Sequence, residues 1–212
     1  TYSKRRPVTT TDIYDLASIT KIASSTASLM KLQSEGVINV DSSLSTYLPN
    51  MVDTSAYKNI LLKQMLTHQA GFTPWIPFYI RTLHKGKPKF ELYSVKQTDY
   101  FSERVADKLY AHESLRDSIF KKILSTKVSA VKKYKYSDIG YYFINEIIRT
   151  KTNTTQDDYV MNALYKPLGL GNIGYKPRIK WDLNRIPPTE DDKTFRGQLI
   201  QGDVHDQGAA ML

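Results

Sequence analysis

The sequence contains no cysteine among its 212 residues, which excludes disulfides and thiolate chemistry without fixing the compartment. It has no window that approaches the roughly eighteen consecutive apolar residues of a membrane span. No charged-then-apolar segment opens the chain, so targeting information is expected to be absent or already removed. Alternating strand patterns are scarce, and the pattern therefore predicts a mainly helical chain without the strands for a substantial sheet.

An excess of positive charge is concentrated in one part of the sequence. The net charge is +9, and residues 81–135 contain 14 Lys and Arg against 6 Asp and Glu, a net of +8. Such a zone could bind nucleic acid, anionic lipid or an anionic polymer. The acids are interleaved with the bases, as in Glu103-Arg104 and Asp107-Lys108, and no nucleic-acid motif accompanies them. A solvated helical surface is favoured, with no nucleic-acid partner.

Apolar spacing predicts most of the helices. After Ser18, one helical face is formed by Ile19, Ile22, Ala23, Ala27 and Met30, and Gly36 offers a left-handed end to that helix. Asp41 is predicted to cap a short helix that ends before Pro49. Residues 75–90 are predicted to form a loop, and the chain after Pro167 is predicted to be irregular. Further helices are predicted at 98–109, 114–124, 137–149 and 155–164, the last capped by Thr154 or Thr155.

A hydroxyl and an amine stand three residues apart in Ser18-Ile19-Thr20-Lys21. Positions i and i+3 of a helix share a face, so the two side chains can touch across the first turn. A serine becomes a good nucleophile when a neighbouring base takes its proton, and a lysine is such a base if desolvation lowers its pKa. This Ser-x-x-Lys pattern predicts an activated serine. The alternative is an ordinary solvated helix face, because four residues with two fixed recur by chance.

A second constellation, Tyr136-Ser137-Asp138, precedes a predicted helix. A tyrosine near a nucleophilic serine can accept or relay its proton when a cation lowers its pKa, and Lys21 would be that cation. The alternative is a tyrosine that packs a helix N-terminus, with Ser137 or Asp138 as the cap. His68 could be a general base, but at a helix end beside Gly71 a structural hydrogen bond is favoured.

Six ordered motifs resemble the serine β-lactamases, and among them the class C β-lactamases, esterases and D-alanyl-D-alanine peptidases. The resemblance covers nearly the whole chain. It rests on stretches 15–21 (DLASITK), 30–36 (MKLQSEG), 47–49 (YLP), 66–71 (LTHQAG), 136–138 (YSD) and 167–170 (PLGL).

The resemblance implies a serine hydrolase that forms an acyl-enzyme. Ser18 would be the acylated nucleophile, Lys21 its base and Tyr136 the residue that passes protons to the leaving group, while the Ser18 N–H would supply half of an oxyanion hole. The substrate would be an amide or ester, such as a β-lactam, a D-alanyl peptide or a small ester. Asp138 occupies a substrate-binding position where the family usually has asparagine. A carboxylate there is expected to disfavour a substrate carboxylate, and with it penicillin turnover.

The resemblance also implies one α+β domain of β-lactamase/transpeptidase type over residues 1–212. The family's third motif, Lys/His-Thr/Ala-Gly, and its N-terminal strands are not found in the sequence. We therefore expect the helical part of the domain, with few strands because both sheet-forming ends are missing, and an incomplete site that can leave the chain alone inactive.

A narrower likeness is suggested by residues 105–110 (VADKLY) and 202–206 (GDVHD). They resemble proteins in which this domain follows a family 3 glycoside hydrolase of β-N-acetylglucosaminidase type. That likeness implies a periplasmic or secreted location, a small-molecule or peptidoglycan-derived substrate, and a glycosidase domain in the same polypeptide. It implies no metal or organic cofactor. The alternative function is a non-catalytic module that binds cell-wall glycopeptide or supports a neighbouring glycosidase domain.

Two further patterns are rejected. Gly169, Gly171 and Gly174 match G-x-G-x-x-G, but a helix and Pro167 precede them and Pro177 follows, whereas the dinucleotide fingerprint follows a strand and opens a helix. His205-Asp206 has no third metal ligand at a useful spacing.

Overall fold

A computed structural model describes residues 7–204, and helices dominate it. Single 3-10 turns span Ala17–Ile19, Phe78–Thr82 and Leu183–Arg185, and π-helical turns span Lys21–Thr26 and Met161–Tyr165. No helix among these described residues is both long and apolar enough to cross a membrane. The α-helices are α1 (Ala27–Ser34), α2 (Leu44–Tyr47), α3 (Pro49–Val52), α4 (Leu62–Leu66), α5 (Ser114–Leu124), α6 (Ile139–Thr152), α7 (Gln156–Val160) and α8 (Pro177–Lys180).

The strands are short and all pair antiparallel with their neighbours. They are β1 (Leu83–His84), β2 (Lys87–Pro88), β3 (Tyr93–Ser94), β4 (Glu103–Ala106), β5 (Leu109–Ala111), β6 (Glu190–Asp192) and β7 (Gln198–Ile200). β1 pairs with β2, β6 pairs with β7, and β5 lies between β3 and β4.

The chain divides into two compact units. Residues 18–76 and 120–173 form the helical unit, which contains α1–α4, α6 and α7. Residues 7–17, 77–119 and 174–204 belong to the strand unit, which contains all seven strands and α8. The interpretation of residues 1–212 as one domain stays a prediction.

Helix α6 forms the centre of the helical unit. Its predicted apolar face, Ile139, Phe143 and Ile147, is at most 1% exposed. The ring of Phe143 lies 5.5 Å from that of Tyr57, whose hydroxyl donates to the carbonyl of Ile123 at 3.0 Å. The prediction of this helix and its buried face is therefore confirmed, and the buried hydroxyl has the partner it needs.

The helix that follows Ser18 buries a different face from the one predicted. Ile19, Ile22 and Met30 are 58–71% exposed, whereas the buried positions are Ser24, Ser25, Ser28, Leu29 and Leu32. The Ser24 and Ser25 hydroxyls accept hydrogen bonds from the buried amide Nε2 of Gln156, at 2.9 and 3.0 Å. A polar face can be buried here because α7 brings its own donor to it. The helix ends as predicted at Gly36, at φ +72°, with the hydrogen bonds of a Schellman motif.

The helix predicted at 98–109 is wrong. β4 and β5 form a hairpin there, turning at Lys108 with φ +48°, and Val105, Ala106, Leu109 and Ala111 are buried. An apolar segment this short fits both the helical period and the strand period. The pairing of β5 with β3 stabilises the strand conformation.

Several other predictions can be compared with the structure. Helix α5 has the predicted bounds, and Thr155 caps α7 by accepting from the N–H of Asp158. Asp41 does not cap α2, which follows Ser43; its carboxylate instead lies 2.5 Å from Lys63 Nζ. The predicted loop contains a 3-10 segment and the hairpin of β1 and β2, and the region predicted to be irregular contains α8, a 3-10 turn and the hairpin of β6 and β7. No helix opens at Gly169–Gly174, and His205-Asp206 lies outside the described residues.

Candidate active site

Ser18 lies on an exposed 3-10 turn that leads into a π-helical segment. It belongs to the 3-10 turn 17–19, and the π-helical turn begins at Lys21. The carboxylate of Asp15 accepts the N–H of Ala17 at 2.8 Å, and Ala17 itself has φ +44°. An alanine in the left-handed region costs about 1–2 kcal/mol, and such backbone strain recurs at functional sites. In the sequence, only Asp15, a residue type that favours turns, indicates this conformation of Ala17.

Two polar side chains meet at the Ser18 hydroxyl. Lys21 Nζ donates to Ser18 Oγ at 2.9 Å, so the predicted contact across the first turn is present. Tyr136 Oη donates to the same oxygen at 2.8 Å, from 118 residues further along the chain. All three residues belong to the helical unit. The two sequence motifs, predicted separately, therefore meet at one atom.

Asp138 also lies at this site, on the far side of Lys21. Its Oδ1 is 2.7 Å from Lys21 Nζ, and the Lys21 and Asp138 side chains are only 15% and 20% exposed. Burial by itself lowers the pKa of Lys21, but the hydrogen bonds and negative charge of Asp138, together with Tyr136, raise that pKa above the ordinary 10.5. In this arrangement the ion pair outweighs burial, and the role of Lys21 as the base of Ser18 stays a prediction.

Backbone contacts hold the Tyr136-Ser137-Asp138 segment in place. Ser137 Oγ donates to the carbonyl of Thr73 at 2.6 Å and accepts the N–H of Ile139 at 3.2 Å. The N–H of Asp138 donates to the carbonyl of Pro74 at 3.0 Å. Ser137 thus has the structural role considered for it at the start of α6. The Asp138 carboxylate makes no cap to that helix and turns instead to Lys21.

His68 and Tyr141 complete the surroundings of Lys21. His68 Nδ1 accepts the N–H of Ser137 at 3.2 Å, which agrees with the structural interpretation of this residue. Burial, aided by the charge of Lys21, lowers the pKa of His68, so its ring is neutral at pH 7. The ring of His68 lies 4.5 Å from that of Tyr136.

Tyr141 was missed in the sequence. Its ring centroid lies 5.5 Å from Lys21 Nζ, as does that of Tyr136, so the two rings flank the amine. The available signal was its position three residues after Asp138, on the same face of the first turn of α6.

No group of three His, Cys, Asp or Glu side chains within residues 7–204 is placed to hold a metal ion. The contacts at Ser18 place an exposed hydroxyl against the amine of Lys21 and the phenol of Tyr136. Such a group can attack a carbonyl carbon once its proton is removed.

Comparison with known proteins identifies the family of the chain. The family model described as Beta-lactamase matches residues 2–186. An Escherichia coli K12 protein provisionally assigned as a D-alanyl-D-alanine carboxypeptidase is 28% identical over 216 residues, covering 95% of this chain and 45% of the relative. The chain thus spans about half the length of the curated relatives it matches. The predicted fusion to a family 3 glycoside hydrolase gains no support from these relatives.

Solved structures agree on the fold. A D-stereospecific amidohydrolase from Streptomyces matches with a TM-score of 0.54 at 20% identity, over 75% of this chain and 43% of that one. A penicillin-binding protein homologue from Caulobacter crescentus matches with a TM-score of 0.53 at 17% identity, over 79% of this chain and 38% of that one. The predicted α+β fold of β-lactamase/transpeptidase type, present in part and mostly helical, is confirmed. The chain belongs to the Beta-lactamase family.

Proposed function

We propose that the chain is the nucleophile-bearing part of a serine hydrolase that is acylated at Ser18. The observation that carries the proposal is the meeting of Lys21 Nζ and Tyr136 Oη at Ser18 Oγ, at 2.9 and 2.8 Å. A serine with no chemical task has no need of an ammonium, largely withdrawn from water, and a phenol that both donate to the same oxygen.

The reaction follows from the roles of these groups. Ser18 Oγ forms a bond to the carbonyl carbon of an amide or ester, and the bond to the leaving nitrogen or oxygen breaks. The hydroxyl proton leaves through Lys21 or Tyr136, and Tyr136, which touches Ser18 directly, is placed to return it to the leaving group. The Ser18 N–H would donate to the oxyanion. Water then hydrolyses the acyl-enzyme.

D-alanyl peptides and small esters are the substrate classes we favour. The support is the D-alanyl-D-alanine carboxypeptidase assignment of the Escherichia coli relative and the amidohydrolase activity in the name of the Streptomyces structure. β-Lactams are a weaker choice because Asp138 places a carboxylate beside Lys21, where a penicillin carboxylate would meet like charge.

Intact-protein mass spectrometry tests the proposal. The protein, as residues 1–212 and as the longest natural polypeptide that carries them, is incubated at pH 7 and pH 9 with a fluorophosphonate and, separately, with a penicillin. We expect one fluorophosphonate adduct that disappears in Ser18→Ala and persists in Ser34→Ala, a matched loss of an exposed helix hydroxyl that bonds only to a carbonyl. No adduct in any form contradicts the proposal and favours the non-catalytic binding module.

A further inference from the structure

The resemblance implies an asparagine at position 138, and this chain has Asp138 there. The carboxylate of Asp138 favours the protonated form of Lys21. The groups that face Lys21 from the surrounding segments are the Asp138 carboxylate, the phenols of Tyr136 and Tyr141, and the neutral imidazole of His68. Among these groups the carboxylate carries the full negative charge. It lies 2.7 Å from Lys21 Nζ, with both side chains mostly withdrawn from water.

An ammonium and a free amine act in opposite ways on Ser18. A free amine has a lone pair that accepts the serine proton, whereas an ammonium has none and can only donate. Here Lys21 Nζ donates to Ser18 Oγ at 2.9 Å while its other side is bound to Asp138. Tyr136 Oη donates to the same oxygen, so both lone pairs of the nucleophile are occupied at rest.

We propose that Asp138 is a positioning residue that holds Lys21 as an ammonium, so that Ser18 is weakly nucleophilic at neutral pH and becomes reactive as Lys21 loses its proton in the alkaline range. The inference rests on the proposed function of Ser18. An amide at position 138 would keep a hydrogen-bond acceptor for Lys21 but remove the charge, and burial would then favour the free amine. The raised pKa of Lys21 has the direction that this requires.

The consequence is a substitution that increases activity. Replacement of Asp138 by asparagine should speed acylation at pH 7, since each unit by which the Lys21 pKa falls gives about tenfold more free amine at that pH. A merely structural carboxylate would give no such gain, because its loss can only loosen the site.

The test is the initial rate of phosphonylation at Ser18 by a fluorophosphonate between pH 6 and pH 10, followed by intact mass. In this step the Oγ–P bond forms, the P–F bond breaks, fluoride leaves, and the serine proton passes to the base. We compare the wild type, Asp138→Asn and Asp41→Asn, which removes the carboxylate of an exposed Lys–Asp pair in the same unit. We expect the rate of the wild type and of Asp41→Asn to rise through the alkaline range, and that of Asp138→Asn to rise at lower pH and to exceed the wild type at pH 7.

Each outcome of this experiment either supports the inference or overturns it. A wild-type rate that is already constant below pH 8 overturns the inference without any variant, and this arm survives even if Asp138→Asn fails to fold. Labelling of Asp138→Asn with an unshifted profile, or more slowly at every pH, also overturns it while leaving the proposed function intact. If Ser18 is labelled in no form at any pH, the proposed function fails and the inference fails with it.

Discussion

Two ion-paired carboxylates, Asp192 in the strand unit and Asp138 in the helical unit, are built differently. Asp192 is 1% exposed and accepts the backbone N–H groups of Thr194, Phe195 and Arg196 as well as Nε of Arg196 at 2.8 Å. Asp138 pairs with Lys21 through one oxygen, and its side chain keeps 20% exposure. A carboxylate with every lone pair occupied holds a loop together, whereas one with spare capacity beside a nucleophile can tune chemistry.

The largest effect should come from breaking the Asp192 cluster. Asp192→Ala removes the buried carboxylate that binds Nε of Arg196 and leaves Arg196 only its longer, 3.3 Å contact with Glu190 as an ion pair, which costs about 3–5 kcal/mol of the free energy of unfolding. The measurement is urea unfolding followed by circular dichroism. Asp191→Ala is the control, because Asp191 pairs with the exposed Lys193 and should cost at most about 1 kcal/mol. Equal losses of unfolding free energy in the two variants would contradict a special structural role for Asp192.

Tyr136→Phe, at the site that contains Asp138, should slow the reaction of Ser18 while leaving the stability of the protein nearly unchanged. It removes the hydroxyl that donates to Ser18 Oγ, and we expect phosphonylation to slow by at least about 10²-fold. The free energy of unfolding should change by less than about 1 kcal/mol, because the side chain is 42% exposed. Tyr134→Phe, two residues earlier and 68% exposed, is the matched control and should label at the wild-type rate. A wild-type rate in Tyr136→Phe would remove this phenol from the mechanism.

Acid should destabilise the protein partly through Asp192. Burial alone would raise the pKa of Asp192, but the hydrogen bonds from the backbone of Phe195, Arg196 and Thr194 and from the Arg196 side chain outweigh burial and hold the pKa well below the ordinary 3.8. The resulting stabilisation is complete above pH 3.8 and is lost as the pH falls through the lower folded-state pKa. Urea unfolding between pH 5 and pH 2 should therefore show a shallower loss of stability in Asp192→Asn than in the wild type. Asp191→Asn should follow the wild-type slope, and identical slopes in all three would refute the assignment.

The smallest effect on stability should come from Asp138→Asn. The asparagine amide keeps a hydrogen-bond acceptor for Lys21, so we expect the free energy of unfolding to change by at most about 1 kcal/mol. Urea unfolding should give a difference within that range, even though the pH dependence of labelling changes. A loss comparable to that of Asp192→Ala would make Asp138 a structural residue like its counterpart.

Local patterns predicted those features whose causes are local. The cap at Thr155, the left-handed end at Gly36 and the bounds of α5 depend on residues within one or two turns, and each is confirmed. The contact of Lys21 with Ser18 is of the same kind, because it spans three residues. The contact of Tyr136 with Ser18 spans 118 residues and came from the ordered motifs of a family, since no local pattern encodes it.

Features that depend on a distant partner were not predicted. The residue types at positions 98–109 fit a helix. The segment contains strands instead because β3 forms hydrogen bonds with β5 that only a strand can make. The apolar residues Ile19, Ile22 and Met30 predicted the buried face, yet Ser24 and Ser25 are buried because Gln156 satisfies their hydroxyls. Hydrophobic periodicity identifies a helix and its faces, while the neighbouring element decides which face is covered.

The sequence by itself determined the family and the mainly helical character, and it predicted the four candidate site residues, Ser18, Lys21, Tyr136 and Asp138. It did so because residue types at fixed spacings carry both the helical period and the motif order. Only the tertiary structure decided the direction in which the pKa of Lys21 is shifted. Desolvation and the charge of Asp138 act on that amine in opposite directions, and their balance depends on a 2.7 Å distance between residues that lie far apart in the chain.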